Sequence, residues 1–132
     1  MKIRRTFCVL ACLCYLMLLA GCASQASRID QLQQRAASGD IAGQRSLGVA
    51  YDFGHGVQQN YVEAARWYQL AADHGDAIAQ NNLGSLYENG LGVPKDYSKA
   101  LALYQKSAAQ GLAMAQNSFG RMYDLGMGVP VN

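Results

Sequence analysis

The sequence predicts an all-α solenoid, and three observations carry the prediction. The stretches LGVAYDFGHGV, LGSLYENGLGV and FGRMYDLGMGV start at Leu47, Leu83 and Phe119, so the chain repeats itself every 36 residues. Within each copy, apolar residues recur at helical spacing between a capping residue and a glycine. Strand signals are absent, because apolar residues do not alternate and β-branched residues are few. A helix pair alone cannot bury its apolar stripe, so a run of such pairs stacks.

The N-terminal segment stands apart from the repeats. MKIRR is a positive start, and Phe7 to Ala20 is a 14-residue apolar run, too short to span a bilayer comfortably. Residues 1–21 read as a targeting peptide. The run ends in Leu19-Ala20-Gly21-Cys22, an apolar residue, two small ones and a cysteine, which resembles the bacterial lipobox. The resemblance implies a diacylglyceryl thioether on Cys22, cleavage before it and N-acylation. Ala23, where an aspartate would retain the protein, resembles default sorting to the outer membrane. The expected location is therefore the cell envelope, as an outer-membrane lipoprotein facing the periplasm. Acyl chains contribute about 0.8 kcal/mol per buried methylene, so several of them anchor a protein stably. Cys8, Cys12 and Cys14 leave with the peptide, and no cysteine follows Cys22. A disulfide framework and a thiolate metal site are thereby excluded.

The charge balance points away from nucleic acid. Of 11 basic residues, Lys2, Arg4 and Arg5 belong to the targeting peptide, which leaves 8 against 9 acidic residues and no basic run.

Residues 22–26 form the lipidated N-terminus and a short linker. Ser27 to Gly39 aligns with a second helix, with Leu32 at the Tyr68 position and Ala36 at the Ala72 position, and reads as a polar capping helix. Repeat 1 covers residues 40–75, repeat 2 covers 76–111, and a partial repeat 3 covers 112–132. In repeat 2, Asp76 caps the first helix, whose stripe is Ala79, Leu83, Leu86 and Tyr87, and Gly90 ends it. Asp96 caps the second helix, with the stripe Tyr97, Ala100, Leu101, Tyr104 and Ala108, and Gly111 stops it. In repeat 1, Asn60 and Glu63 have capping-box spacing. Gly48, Gly84 and Gly120 each cost roughly 1 kcal/mol inside a helix relative to alanine, and close helix approach is the expected return.

This pattern resembles the Sel-one-like repeat family, a relative of the tetratricopeptide repeats. Repeat 2 matches its consensus through Ala79, Leu83, Gly84, Tyr87, Gly90, Gly92, Val93, Asp96, Lys99, Ala100, Tyr104, Lys106, Ala108 and Gly111. Repeat 1 departs at Asn60 and Glu63 but keeps Trp67-Tyr68. The resemblance covers about residues 40–132. It implies a right-handed α/α solenoid that mediates protein–protein interaction, usually without catalysis.

Searches for chemistry return little. Phosphate-binding glycine loops follow a strand and open a helix, whereas each Gly-x-Gly here follows a helix C-terminus. His55 and His74 have no partner at metal-ligand spacing. No serine sits in a nucleophile elbow, and no cofactor or catalytic residue is expected. Some cysteine-rich relatives have been connected with β-lactams, but their repeats are pinned by paired cysteines that this chain lacks. Asp52, Glu88 and Asp124 recur at repeat positions, as a solvated face would. The tyrosine series reads as core packing.

A partner-binding row falls on the first helix of each pair, which lines the concave face in related solenoids. Arg45, Val49 and Asp52 form the row, echoed by Asn81, Ser85 and Glu88, then by Asn117, Arg121 and Asp124. The mixed charges suit a polar protein or peptide. The leading expectation is a non-enzymatic envelope scaffold or adaptor. The alternatives are an envelope enzyme or modulator acting on peptidoglycan or β-lactams, and a truncated remnant of a longer repeat protein. Repeat 3 lacks its second helix, so Phe119, Met122 and Tyr123, with Met114 and Met127, are expected to form an exposed apolar end able to self-associate.

Overall fold

The structure is a computed structural model that describes residues 28–129. The targeting peptide and Cys22 lie outside the described residues. Residues 28–37 form α1. Then come α2 (Ile41–Phe53), α3 (Tyr61–Asp73), α4 (Ala77–Asn89), α5 (Tyr97–Ala109) and α6 (Ala113–Asp124). Among the described residues there is no strand. Each helix from α2 onward packs on the next, and α2 also touches α4. The first helices of successive pairs thus meet, α2 with α4 through packing and α4 with α6 through the Glu88–Arg121 ion pair. The second helices are α1, α3 and α5.

The local signals for helix ends act much as expected. Asp76 accepts from the Ala79 N–H at 2.8 Å and Asp96 from the Lys99 N–H at 3.0 Å. Gly54 and Gly90 close α2 and α4 in the left-handed conformation. The capping box at α3 is only half formed. Asn60 accepts from the N–H groups of Val62 and Glu63. Glu63 instead pairs with Arg66 at 3.2 Å, because the Asn60 N–H is already donated to the Tyr51 carbonyl at 2.8 Å.

Packing explains the recurrent helical glycines. A Cβ on Gly48 would stand 2.6 Å from the Tyr68 ring, and one on Gly84 would stand 3.0 Å from the Tyr104 ring. Each tyrosine is almost wholly buried at 0% and 2% exposure, so each ring fills the gap that its glycine opens. Gly120 has nothing within 4 Å, because no second helix follows α6 among the described residues.

The Gly-x-Gly turns do a second task. Gly92 has a φ of 68°, and a Cβ there would overlap the Tyr61 carbonyl at the start of α3. Gly128 has a φ of 76° and meets the start of α5 in the same way at Tyr97. Each turn thus lies on the first turn of the preceding second helix, and Ser98 donates to the Gly128 carbonyl at 3.4 Å.

The end of the stack is less open than the sequence suggests. Met122 was expected to lack cover but is 0% exposed, because it faces Ala100 and Tyr104 of α5 rather than a missing helix. Phe119 and Met127 are half-buried against the same cluster. Only Met114 at 65%, Tyr123 at 58% and Leu125 at 64% remain open. Tyr123 is therefore the copy that leaves the core-packing pattern of the tyrosines.

The glycines give a paired prediction. Gly48→Ala pushes against the Tyr68 ring and is expected to lower stability by about 1–3 kcal/mol. Gly120→Ala meets open space and is expected to raise it by up to about 1 kcal/mol. Urea melts of the two variants check both signs.

Candidate functional site

The inner row predicted from the sequence is built on α2, α4 and α6, and most of it is tied into the fold. Arg45 is half-buried, and its Nη1 bonds Asp76 Oδ2 at 2.6 Å, which joins α2 to the capping residue of α4. Val49 packs against the central core cluster. Asp52 accepts the Tyr68 hydroxyl at 3.1 Å. Asn81 is 7% exposed, donates to Asn82 at 3.3 Å and leaves its carbonyl oxygen without a protein partner. Ser85 accepts from Asn89 through its backbone carbonyl at 2.8 Å. Glu88 is brought to Arg121 at 2.7 Å, the one direct link between row residues of neighbouring pairs among the described residues. Asn117, Arg121 and Asp124 are exposed.

Two of the recurring acids, Asp52 and Glu88, are not the solvated face that their period suggests, whereas Asp124 is exposed as expected. Glu88 accepts the Tyr104 hydroxyl at 2.8 Å, as Asp52 accepts that of Tyr68. A buried phenol needs an acceptor, and the acid one turn beyond the glycine supplies it. Burial raises the Asp52 carboxyl, and the hydrogen bond from Tyr68 opposes the shift. Burial also pushes both phenols well above their usual 10.0, helped by the charge of Asp52 at Tyr68 and by the hydrogen bond to Glu88 at Tyr104. Arg121 is raised chiefly by its hydrogen bond to Glu88.

A second repeated device escaped the sequence reading. Gln44, Gln80 and Gln116 each donate to a carbonyl eight residues back, of Ala36, Ala72 and Ala108, at 3.4, 3.3 and 3.4 Å. Each bond clasps a first helix to the end of the second helix before it. Gln80 also accepts from Gln110 at 2.9 Å. Gln44 Oε1 is buried without such a donor, because His74 stands at the Gln110 position. The signal was present as a glutamine at every 36th residue.

The arrangement offers structural bonds rather than reactive groups. Ser38, Ser98 and Ser107 each donate to a backbone carbonyl. Exposed His55 stacks on Phe53 at 5.7 Å, and His74 follows the last turn of α3. No cluster of three or more possible metal ligands, and no helix long and apolar enough to cross a membrane, occurs among the described residues. An open groove of about 800 Å³ lies between α1 and α2, lined by Arg28, Leu32, Arg35, Val49 and His55 among others.

The Sel1 repeat family model matches residues 41–76, 77–112 and 113–132. The chain belongs to the Sel1 repeat family. Among solved structures it is similar to a protective antigen of uropathogenic Escherichia coli with an SLR fold, at 35% identity and a TM-score of 0.78. That match covers 80% of this chain and 22% of the antigen. It is also similar to a Sel1 repeat protein from Oxalobacter formigenes, at 34% identity and a TM-score of 0.76, over 91% of this chain and 49% of that one. The chain thus spans less than half of either relative. No curated protein gives a significant match. Sel1 repeats are generally scaffolds for protein–protein interaction, and the fold is typically non-catalytic.

Within these Sel1 repeats the two shielded phenols set a pH limit. Their folded-state pKa lies above the unfolded one, so the unfolded chain ionises first as pH rises. The stability these phenols contribute is therefore kept below pH 10.0 and lost as the pH climbs through the ordinary phenol range and beyond. Absorbance titration of tyrosinate should show Tyr68 and Tyr104 ionising last, and Tyr68→Phe or Tyr104→Phe should each remove one late step.

Proposed function

We propose that this protein is a non-enzymatic cell-envelope lipoprotein that acts as a scaffold or adaptor for other envelope proteins. The observation that carries the scaffold reading is the run of Sel1 repeats, whose polar side chains hold one pair to the next. On the row that α2, α4 and α6 carry, Asn117, Arg121 and Asp124 are exposed and Val49 and Ser85 are half-exposed. Its mixed charge suits a polar protein or peptide.

Support for the envelope placement comes from the sequence alone. A positive start, a 14-residue apolar run and Leu19-Ala20-Gly21-Cys22 follow in the order that lipidation of Cys22 requires. Ala23 supports sorting to the outer membrane. The protein would then be held at the periplasmic surface by its acyl chains, with the repeats projecting toward their partners.

Two experiments test the reading. Cys22→Ser is expected to release the protein from the membrane fraction and to abolish a globomycin-sensitive precursor; unchanged membrane association would falsify the lipid anchor. For the scaffold, crosslinking in intact envelopes is compared between wild type and an Asn117→Arg variant. Asn117 is exposed, so the variant should keep the wild-type melting temperature. Loss of specific crosslinked species in the variant supports the inner face, and an unchanged crosslinking pattern sinks it.

A further inference from the structure

Asp52 and Glu88 hold the same position in successive pairs, yet only Glu88 has a partner for each carboxylate oxygen. Glu88 Oε2 accepts the Tyr104 hydroxyl at 2.8 Å, and Oε1 accepts from Arg121 Nη2 on the next first helix at 2.7 Å. Asp52 Oδ2 accepts the Tyr68 hydroxyl at 3.1 Å in the same way. Among the described residues, Asp52 Oδ1 has no donor and no ion pair ends on Asp52. The difference comes from one residue. The place of Arg121 is taken by Ser85, 36 residues earlier. Serine brings no charge, and its hydroxyl accepts from Asn89 of its own helix at 3.4 Å. Arg45, on the same row as Asp52, is engaged by Asp76 at 2.6 Å.

This missing cation belongs to the joint between α2 and α4, with α1 before it and α5 and α6 after it. It therefore owes nothing to where the stack begins or ends. Residues 22–27 carry no basic side chain that could supply it. Asp52 and Ser85 are both half-exposed, so the joint is open to a group arriving from solvent. Burial pushes the Asp52 carboxyl up, a shift that a neighbouring cation opposes. Val49, one turn before Asp52 on α2, is half-exposed and offers apolar surface to the methylene stem of a long cationic side chain.

We propose that Asp52, beside Ser85, receives an arginine side chain of the protein or peptide partner, whose guanidinium stands to Asp52 as that of Arg121 stands to Glu88. The guanidinium donates to Oδ1 while Tyr68 keeps Oδ2, so the partner adds a charge-assisted bond without displacing one. The proposal rests on the scaffold reading and names the chemistry of one contact in it. It also gives the row an asymmetry. The joint between α2 and α4 takes its cation from a partner, whereas the joint between α4 and α6 already holds its own in Arg121.

The probe is the peptide acetyl-Ala-Gly-Arg-Gly-Ala-amide, titrated into the purified protein and followed by the backbone amide NMR signals. Saturable shifts centred on Asp52, Tyr68 and Ser85 are expected, with a dissociation constant of about 1–10 mM. The analogue with citrulline for arginine keeps the shape without the charge and should bind about tenfold more weakly. Asp52→Asn keeps an acceptor for the Tyr68 hydroxyl and should lower the affinity by about tenfold. Ser85→Arg places on α4 the guanidinium that Arg121 supplies on α6, so it should raise the melting temperature and exclude the peptide. Should that variant not fold, Asp52→Asn and the citrulline peptide decide. No binding in the millimolar range, equal binding by the citrulline analogue, or shifts that survive Asp52→Asn would show Oδ1 to be hydrated only and overturn the proposal. A folded Ser85→Arg protein that binds the peptide as wild type does would overturn it as well. If the peptide fails while Asn117→Arg still loses its crosslinks, the Asp52 site falls and the scaffold reading stands.

Discussion

Everything in the stack depends on a tyrosine ring laid against a glycine. A helix pair of Ala-rich sequence has little volume with which to fill its own interface, and Tyr68 and Tyr104 supply it where Gly48 and Gly84 let the backbone come near. Complete burial of the ring is worth about 1.5–3 kcal/mol, enough to offset the helix propensity that the glycine gives up. The hydroxyl creates the next requirement, since a phenol oxygen inside the stack needs a partner. Asp52 and Glu88 meet it from the same first helix, so the pair is fixed in register as well as in distance. A leucine at the tyrosine position fills some of the volume but fixes no register. Leu32 does this in α1, and a groove lies beside it.

Much of this was legible in the sequence, because a repeat prints its constraints more than once. The period, the caps at Asp76 and Asp96, the glycine stops and the pairing of helices could all be read from residues that recur. Which side of a helix each recurring residue faces was harder to read. Asp52 and Glu88 looked like a wet surface because acids usually are one, yet each lies within reach of a buried tyrosine 16 residues further on. Met122 looked uncovered because no second helix follows α6 among the described residues, but the previous second helix already covers it. Both readings depend on contacts between helices, which spacing along one helix does not encode.

The row shows the same limit. Spacing placed Arg45, Asn81 and Asn117 on one line, but not their different surroundings. Arg45 is held by the cap of the next first helix, Asn81 is buried between neighbours, and Asn117 is open. The glutamine clasps could have been found from their period. Glutamine has no strong structural preference of its own, and its role appears only when the carbonyl it reaches is known.

The turns resting on earlier helices give the chain a direction in time. The first turn of α3 is completed by Gly92 and that of α5 by Gly128, each 31 residues after the residue it touches. A ribosome makes these residues in order, so every second helix emerges before the backbone that seals its start. The newest unit on a growing chain is therefore the loosest one, and it tightens only when the following turn has been synthesised.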